Sequence, residues 1–293
     1  MPRGDTEQHS LRHMSTHVTG ECDILVDMNQ AINLHQFQDE FFAGVVARCV
    51  EECANYYENR LAAIYVWGSV QRQEAVRGVS DLDLIVFVKE ASEADRKWRN
   101  NQINDQVETE FPDFAWGLIP HPTDITEAPH NTIPTDTEHQ QMRNRGFAYL
   151  LLHNATLVFG EEVTKELTLP PPDKPLARWA LPLDPLRLAR FAAGLETQNR
   201  SDFELPGEPS LKLRKLARLS VLGGAYLLMA QGHYKSDKGT DVFPLLARNE
   251  EWSNFLDYTR RVYITPTATT SAEVDEYATK LVAWLEWVQK QLD

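Results

Sequence analysis

The chain has 293 residues, 42% of them hydrophobic and 10% aromatic, which is enough apolar material to bury one large core or two modest ones. Its net charge of -14 argues against general nucleic-acid binding, because phosphate attraction needs a basic surface, and suits a cationic partner better. No apolar run approaches the roughly 18 residues of a membrane span, and MPRGDTEQHSLRHMSTH lacks the apolar core of a secretory signal. The expectation is a soluble, cytoplasmic protein with no membrane contact.

Residues 1–28 are polar and without periodicity, which predicts a mobile tail. His9, His13 and His17 within it recur every four residues, but nothing nearby supports the helix they would need to share a face. Between Leu34 and Tyr57 the residues Phe37, Phe41, Val45, Cys49 and Cys53 follow the spacing of an amphipathic helix. Cys49 and Cys53 then stand one turn apart on its apolar stripe. Together with Cys22 they are too few and too poorly spaced for a disulfide framework, so buried free thiols are expected.

Two apolar runs follow, LAAIYVW over 61–67 and LDLIVFV over 82–88, both read as strands. The charged stretch EASEADRKWRNNQINDQVETE reads as helix and DFAWGLIP, 113–120, as a third strand. The segment HPTDITEAPHNTIPTDTE is rich in Pro, Thr and Asp and reads as a loop. QQMRNRGFAYLLLH reads as helix and TLVFG as a last short strand.

Pro170, Pro171, Pro172 and Pro175 interrupt the pattern and mark a domain boundary. Beyond it helices are predicted at about 183–199, 209–231, 241–262 and 271–291. The fold class is therefore α/β (α+β): a mixed sheet with flanking helices over 29–170, then an all-α helical bundle over 171–293.

The chemistry concentrates in WGSVQRQEAVRGVSDLDLIVFV, residues 67–88. Asp81 and Asp83 are two apart on a strand, so both carboxylates face one way and can converge on a cation. Magnesium, a hard ion that takes carboxylate and phosphate oxygens together, is the natural occupant. Gly68-Ser69 ends the preceding strand with helical residues after it, an arrangement that turns backbone N–H groups toward anionic oxygens. Either feature alone is commonplace; here both occur within one strand-turn-strand unit, with Gly78-Val79-Ser80 as a turn just before Asp81.

Apolar strand, Gly-Ser, about ten residues, S-D-L-D and a second apolar strand resemble the signature of the DNA polymerase beta-like nucleotidyltransferase superfamily. The order of elements and the helical C-terminal half are similar to the aminoglycoside adenylyltransferases within it. The motif covers 64–88, the architectural similarity about 34 to the end.

The resemblance implies Gly68, Ser69 and Ser80 at the triphosphate of ATP, and Asp81 and Asp83 as ligands of one or two Mg2+ ions. It also implies a third carboxylate on the next strand, as metal ligand or general base, for which Asp113 is the candidate and Glu110 and Glu108 the fallbacks. FAWGLIP carries no acid within it, a departure from members whose third acid lies mid-strand.

Such adenylyltransferases carry a basic residue just after a bundle helix that reaches the triphosphate. Lys235 and Lys238 hold that place here, preceded by Lys212, Lys215 and Arg218; the alternative is that these are ordinary solvated side chains. Asp184, Asp237 and Asp241 are candidates to hold a cationic acceptor, or else helix caps. Trp116 and Trp179 could stack on a base or sugar, with core packing the commoner role.

The reaction implied is transfer of AMP from ATP to a hydroxyl of a small molecule, an aminoglycoside-like antibiotic being the first acceptor to test, with release of pyrophosphate. The alternatives are a toxin-type enzyme modifying protein or tRNA, and a non-catalytic antitoxin-like binding module.

Overall fold

The computed structural model of the chain describes residues 32–78, 80–98, 107, 109–112, 114, 118–124, 137–165, 167–183, 185–197, 207–247, 249–265 and 268–293. The expected tail, with its three histidines and Cys22, lies outside them, as do Glu108, Asp113, Trp116 and Asp184.

Helix α1, Glu40–Tyr57, starts where the Asp39 carboxylate accepts the Phe41 N–H, six residues later than the apolar spacing suggested. Its stripe of Phe42, Val45, Val46, Cys49, Val50, Cys53 and Tyr57 is buried, and both cysteines are free thiols within it. Strands β1, Leu61–Trp67, and β2, Leu82–Val88, are antiparallel partners. A four-residue helix α2, Gly68–Gln71, follows β1 without a break. Beyond β2 come the short helix α3, Glu93–Trp98, and β3, Leu118–Asp124; then α4, Glu138–His153, and β4, Ala155–Gly160.

The sheet is mixed, in the order β3-β2-β1-β4, with β3 parallel to β2 and the other pairs antiparallel. Alternation along β2 divides its side chains between two cores. Leu82, Leu84, Val86 and Val88 pack with α1, whereas Ile85 and Phe87 pack with Tyr65 and Leu151 on the α4 side. The sheet is thus a layer between two helices.

The third strand is described over Leu118–Asp124 and takes in the first four residues of the expected loop; its expected start, Asp113, lies outside the described residues. Pro120 and Pro122 made this stretch read as a breaker. An edge strand tolerates proline, since N–H groups on its outer side have no ladder partner to lose.

From Lys174 onward the chain is helical: α5, Lys174–Leu183; α6, Pro185–Ala192; α7, Pro209–Ala230; α8, Gly239–Leu246; α9, Ser253–Ile264; α10, Ser271–Leu292. The stretch expected as a single helix over about 241–262 is the pair α8 and α9, and α5 lies ahead of the expected helices. Pro175 sits in the first turn of α5, where its missing N–H costs no helical bond, and Asp173 caps that end.

Helix α7 is the centre of this half: Leu213, Leu216, Ala217, Val221 and Ala225 are buried in one core with Trp284 and Leu285 of α10, which are fully enclosed. At Gly223 the contact is so close that a Cβ would lie 2.3 Å from Leu285 Cδ2. Trp179 packs against the same core. Among the described residues no helix is long and apolar enough to cross a membrane.

Candidate functional site

Trp67 at the end of β1 pairs with Asp83 in β2, which brings the Gly-Ser turn directly beside the second acid. Gly68 has a φ of 73°, a conformation that L side chains rarely adopt, and a Cβ there would fall 2.1 Å from Asp83 Oδ2. The carboxylate therefore rests on the bare Cα of residue 68. Asp81 stands just before β2, two residues from Asp83, and its charge acts on it. Burial, reinforced by that charge, pushes the Asp83 carboxyl up to about 7; the positive charges of Arg72 and Lys215 oppose the rise.

Ser69, in the first turn of α2, has a buried Oγ without a hydrogen-bond partner among the described residues. A buried hydroxyl left unmatched next to two crowded carboxylates suits an incoming polar group. Ser80 is turned into its own loop: its Oγ accepts the Val76 N–H at 2.9 Å and its N–H donates to the Val76 carbonyl. That closes the loop ahead of Asp81 and leaves the hydroxyl hydrogen to donate.

The donor set fits magnesium. Two carboxylates share one small space, one of them strained toward its neutral form, and an oxygen-seeking dication relieves both effects. Among the described residues no group of three or more acidic, histidine or cysteine side chains gathers here.

Among the described residues of the next strand, no acid stands opposite Asp83 in the register. In the register of β3 with β2, Asp83 lies opposite Ile119 and Ile85 opposite His121; the strand's one acid, Asp124, is opposite Val88, roughly 16 Å further along. The nominated Asp113 lies five residues before the described start of β3 and outside the described residues. Glu110 is exposed and paired with Arg48 of α1 at 2.8 Å.

Near Asp83 the second half of the chain contributes a cation. Lys215 of α7 is the basic residue of that helix whose charge acts on Asp83. Arg72, absent from the sequence-based candidates, does so too; its side chain is only 9% exposed, with Nε donating to Glu74 Oε2 at 2.8 Å and Nη1 3.7 Å from Asp237 Oδ2. Lys238 is half-buried at the N-cap of α8, and Lys235 is exposed.

Asp237 is not a free acceptor ligand. It takes hydrogen bonds from Arg218 through both its carboxylate and its carbonyl, and although burial alone would raise it, the charges of Arg218 and Arg72 hold its carboxyl below the ordinary value. Asp241 accepts the Ser236 hydroxyl at 2.5 Å in the first turn of α8.

The profile of the family described as nucleotidyltransferase domain matches residues 46–127, the stretch that holds most of α1, both strands of the acid pair, the Gly-Ser turn and β3. Residues 46–127 are a nucleotidyltransferase domain. No curated protein sequence matches the chain. Among solved structures, this nucleotidyltransferase is similar to a spectinomycin adenyltransferase from Enterococcus faecialis, determined with ATP and spectinomycin. The identity is 15% and the TM-score 0.48, over 83% of this chain and 98% of that one.

Proposed function

We propose that this nucleotidyltransferase moves AMP from ATP to a hydroxyl of a small molecule and releases pyrophosphate. The observation that carries the reading is Asp83 seated on Gly68, with Asp81 two residues away and its charge acting on it. In this reading Asp81 and Asp83 hold magnesium, which when bound neutralises charge on the triphosphate. Gly68 lets the backbone approach the phosphates and Ser69 offers its unmatched hydroxyl to one of their oxygens. Ser80 keeps Asp81 at its height. In this reading Lys215, whose charge acts on Asp83, and Lys235 and Lys238 are the helical half's candidates to meet the phosphates.

The acceptor hydroxyl attacks the α-phosphorus, its proton leaves to a base, and the bond to the departing pyrophosphate breaks. The protein's share is positioning and charge compensation. Residues 29–170 form the catalytic part in this reading and 171–293 the part that holds the acceptor.

The test is release of pyrophosphate from ATP and magnesium in the presence of a panel of aminocyclitol and other hydroxylated acceptors. Activity that disappears in Asp81→Ala and Asp83→Ala supports the reading. Label from ATP entering protein or tRNA in a lysate, with no small acceptor found, replaces it with macromolecule modification; no nucleotide binding at all leaves a binding module.

A further inference from the structure

Glu74 lies in the loop between Gly68-Ser69 and Asp81, a position where a surface loop would leave a glutamate in water. Instead its side chain is 15% exposed and its acceptor atoms are engaged from two directions. Oε2 accepts Arg72 Nε at 2.8 Å and the Tyr263 hydroxyl at 2.5 Å; Oε1 accepts the Gly239 N–H at 3.0 Å. Its main-chain carbonyl accepts Arg214 Nη2 at 2.6 Å, and Arg214 Nε in turn donates to the Tyr263 carbonyl. One loop residue thus ties together α7, α8 and α9.

Two of these ties bear on the site. With Nε held by Glu74, the planar guanidinium of Arg72 has a fixed direction: Nη1 turns to Asp237 and the charge acts on Asp83. The Gly239 N–H is the first of α8, so the same carboxylate caps the helix whose N-cap residue is Lys238.

We propose that Glu74 is a positioning residue for the nucleotide, acting through Arg72, whose guanidinium it fixes on the loop between Gly68-Ser69 and Asp81 while tying that loop to the first turn of α8. Arg72 is then a polyphosphate ligand that sequence motifs do not mark. The inference rests on the adenylyl-transfer reading.

The experiment is calorimetric binding of α,β-methylene ATP with magnesium to the full chain, to Glu74→Gln, to Arg72→Ala and to the double variant, with thermal midpoints alongside. Glutamine keeps an acceptor for Gly239 but loses the charge that orients Arg72, so Glu74→Gln is expected to weaken binding about tenfold. In the Arg72→Ala background the same change is expected to weaken it less than about twofold, because the partner it acts through is gone.

Equal weakening in both backgrounds, or a lowered thermal midpoint with unchanged affinity, overturns the inference and leaves Glu74 as a structural joint. Should Glu74→Gln fail to fold, Arg72→Lys decides: it keeps the charge, leaves Glu74 its other partners and loses only the planar fork. About tenfold weaker binding supports the role, and unaltered affinity refutes it. A wild-type chain that binds no nucleotide removes the adenylyl-transfer reading itself; wild-type binding with indifferent variants removes this inference alone.

Discussion

The carboxylate of Asp83 occupies the space that a side chain at Gly68 would need, with 2.1 Å between Oδ2 and the position of such a Cβ. Gly68→Ala therefore forces either the turn or the acid to move. The backbone at φ 73° adds about 1 kcal/mol of strain for a non-glycine residue. A displaced metal ligand is the larger effect, and kcat/KM is expected to fall about 100-fold while the protein still folds. Steady-state kinetics with a thermal melt separates the two; wild-type activity in this variant would show that the contact has no part in the chemistry.

The raised Asp83 carboxyl gives stability a pH dependence whose sign can be worked out. An acid that titrates higher in the folded state than in the unfolded state favours folding while protonated. In the metal-free protein this contribution is fully present below the unfolded carboxylate range and is lost as pH rises toward about 7. Asp83→Asn should remove this component, so that in chelator its thermal midpoint gains on wild type between pH 5 and pH 8. Parallel curves for the two proteins would count against it. Magnesium should stabilise wild type most at the upper end of that range and Asp83→Asn little anywhere.

Asp237 and Arg218 form an enclosed ion pair, and removing one partner leaves the other charge uncompensated. Asp237→Ala is expected to lower the unfolding free energy by about 3 kcal/mol. Chemical denaturation measures it. A fully stable variant with altered acceptor KM would return Asp237 to the acceptor site.

In the helical half, Gly223→Ala places a methyl group against Leu285 and Trp284. A cost of about 1–3 kcal/mol is expected, since a packed interior absorbs extra volume only by shifting its neighbours. Nucleotide affinity of the folded variant should not change.

Much of this architecture was legible because hydrophobic period and chain breaks agree. Runs such as LAAIYVW and LDLIVFV are strands in either reading, and α7 and α10 begin and end within a residue or so of their apolar patterns. Asp81, Asp83, Gly68 and Ser69 could be grouped because strand pairing across a short loop is a local matter.

The third strand was misplaced because proline is read as a breaker unless one knows that the strand lies at an edge. Arg72 and Glu74 were invisible for a different reason: Glu74 meets Gly239 and Tyr263 across 165 and 189 residues, and no period or motif encodes such a meeting. Asp237 looked like a ligand because its nearest charged partners come from α7 and α2's far end, and a linear reading cannot see a charge already answered.

Pro120 and Pro122 alternate with the residues whose N–H groups can serve the ladder to β2, so their own nitrogens fall on the outer rim of the sheet. That rim lacks the regular row of donors on which another chain's strand could zip. The molecule is thereby protected on that flank from growing into a continuous sheet with its copies, and any self-association has to be built from side-chain surfaces instead.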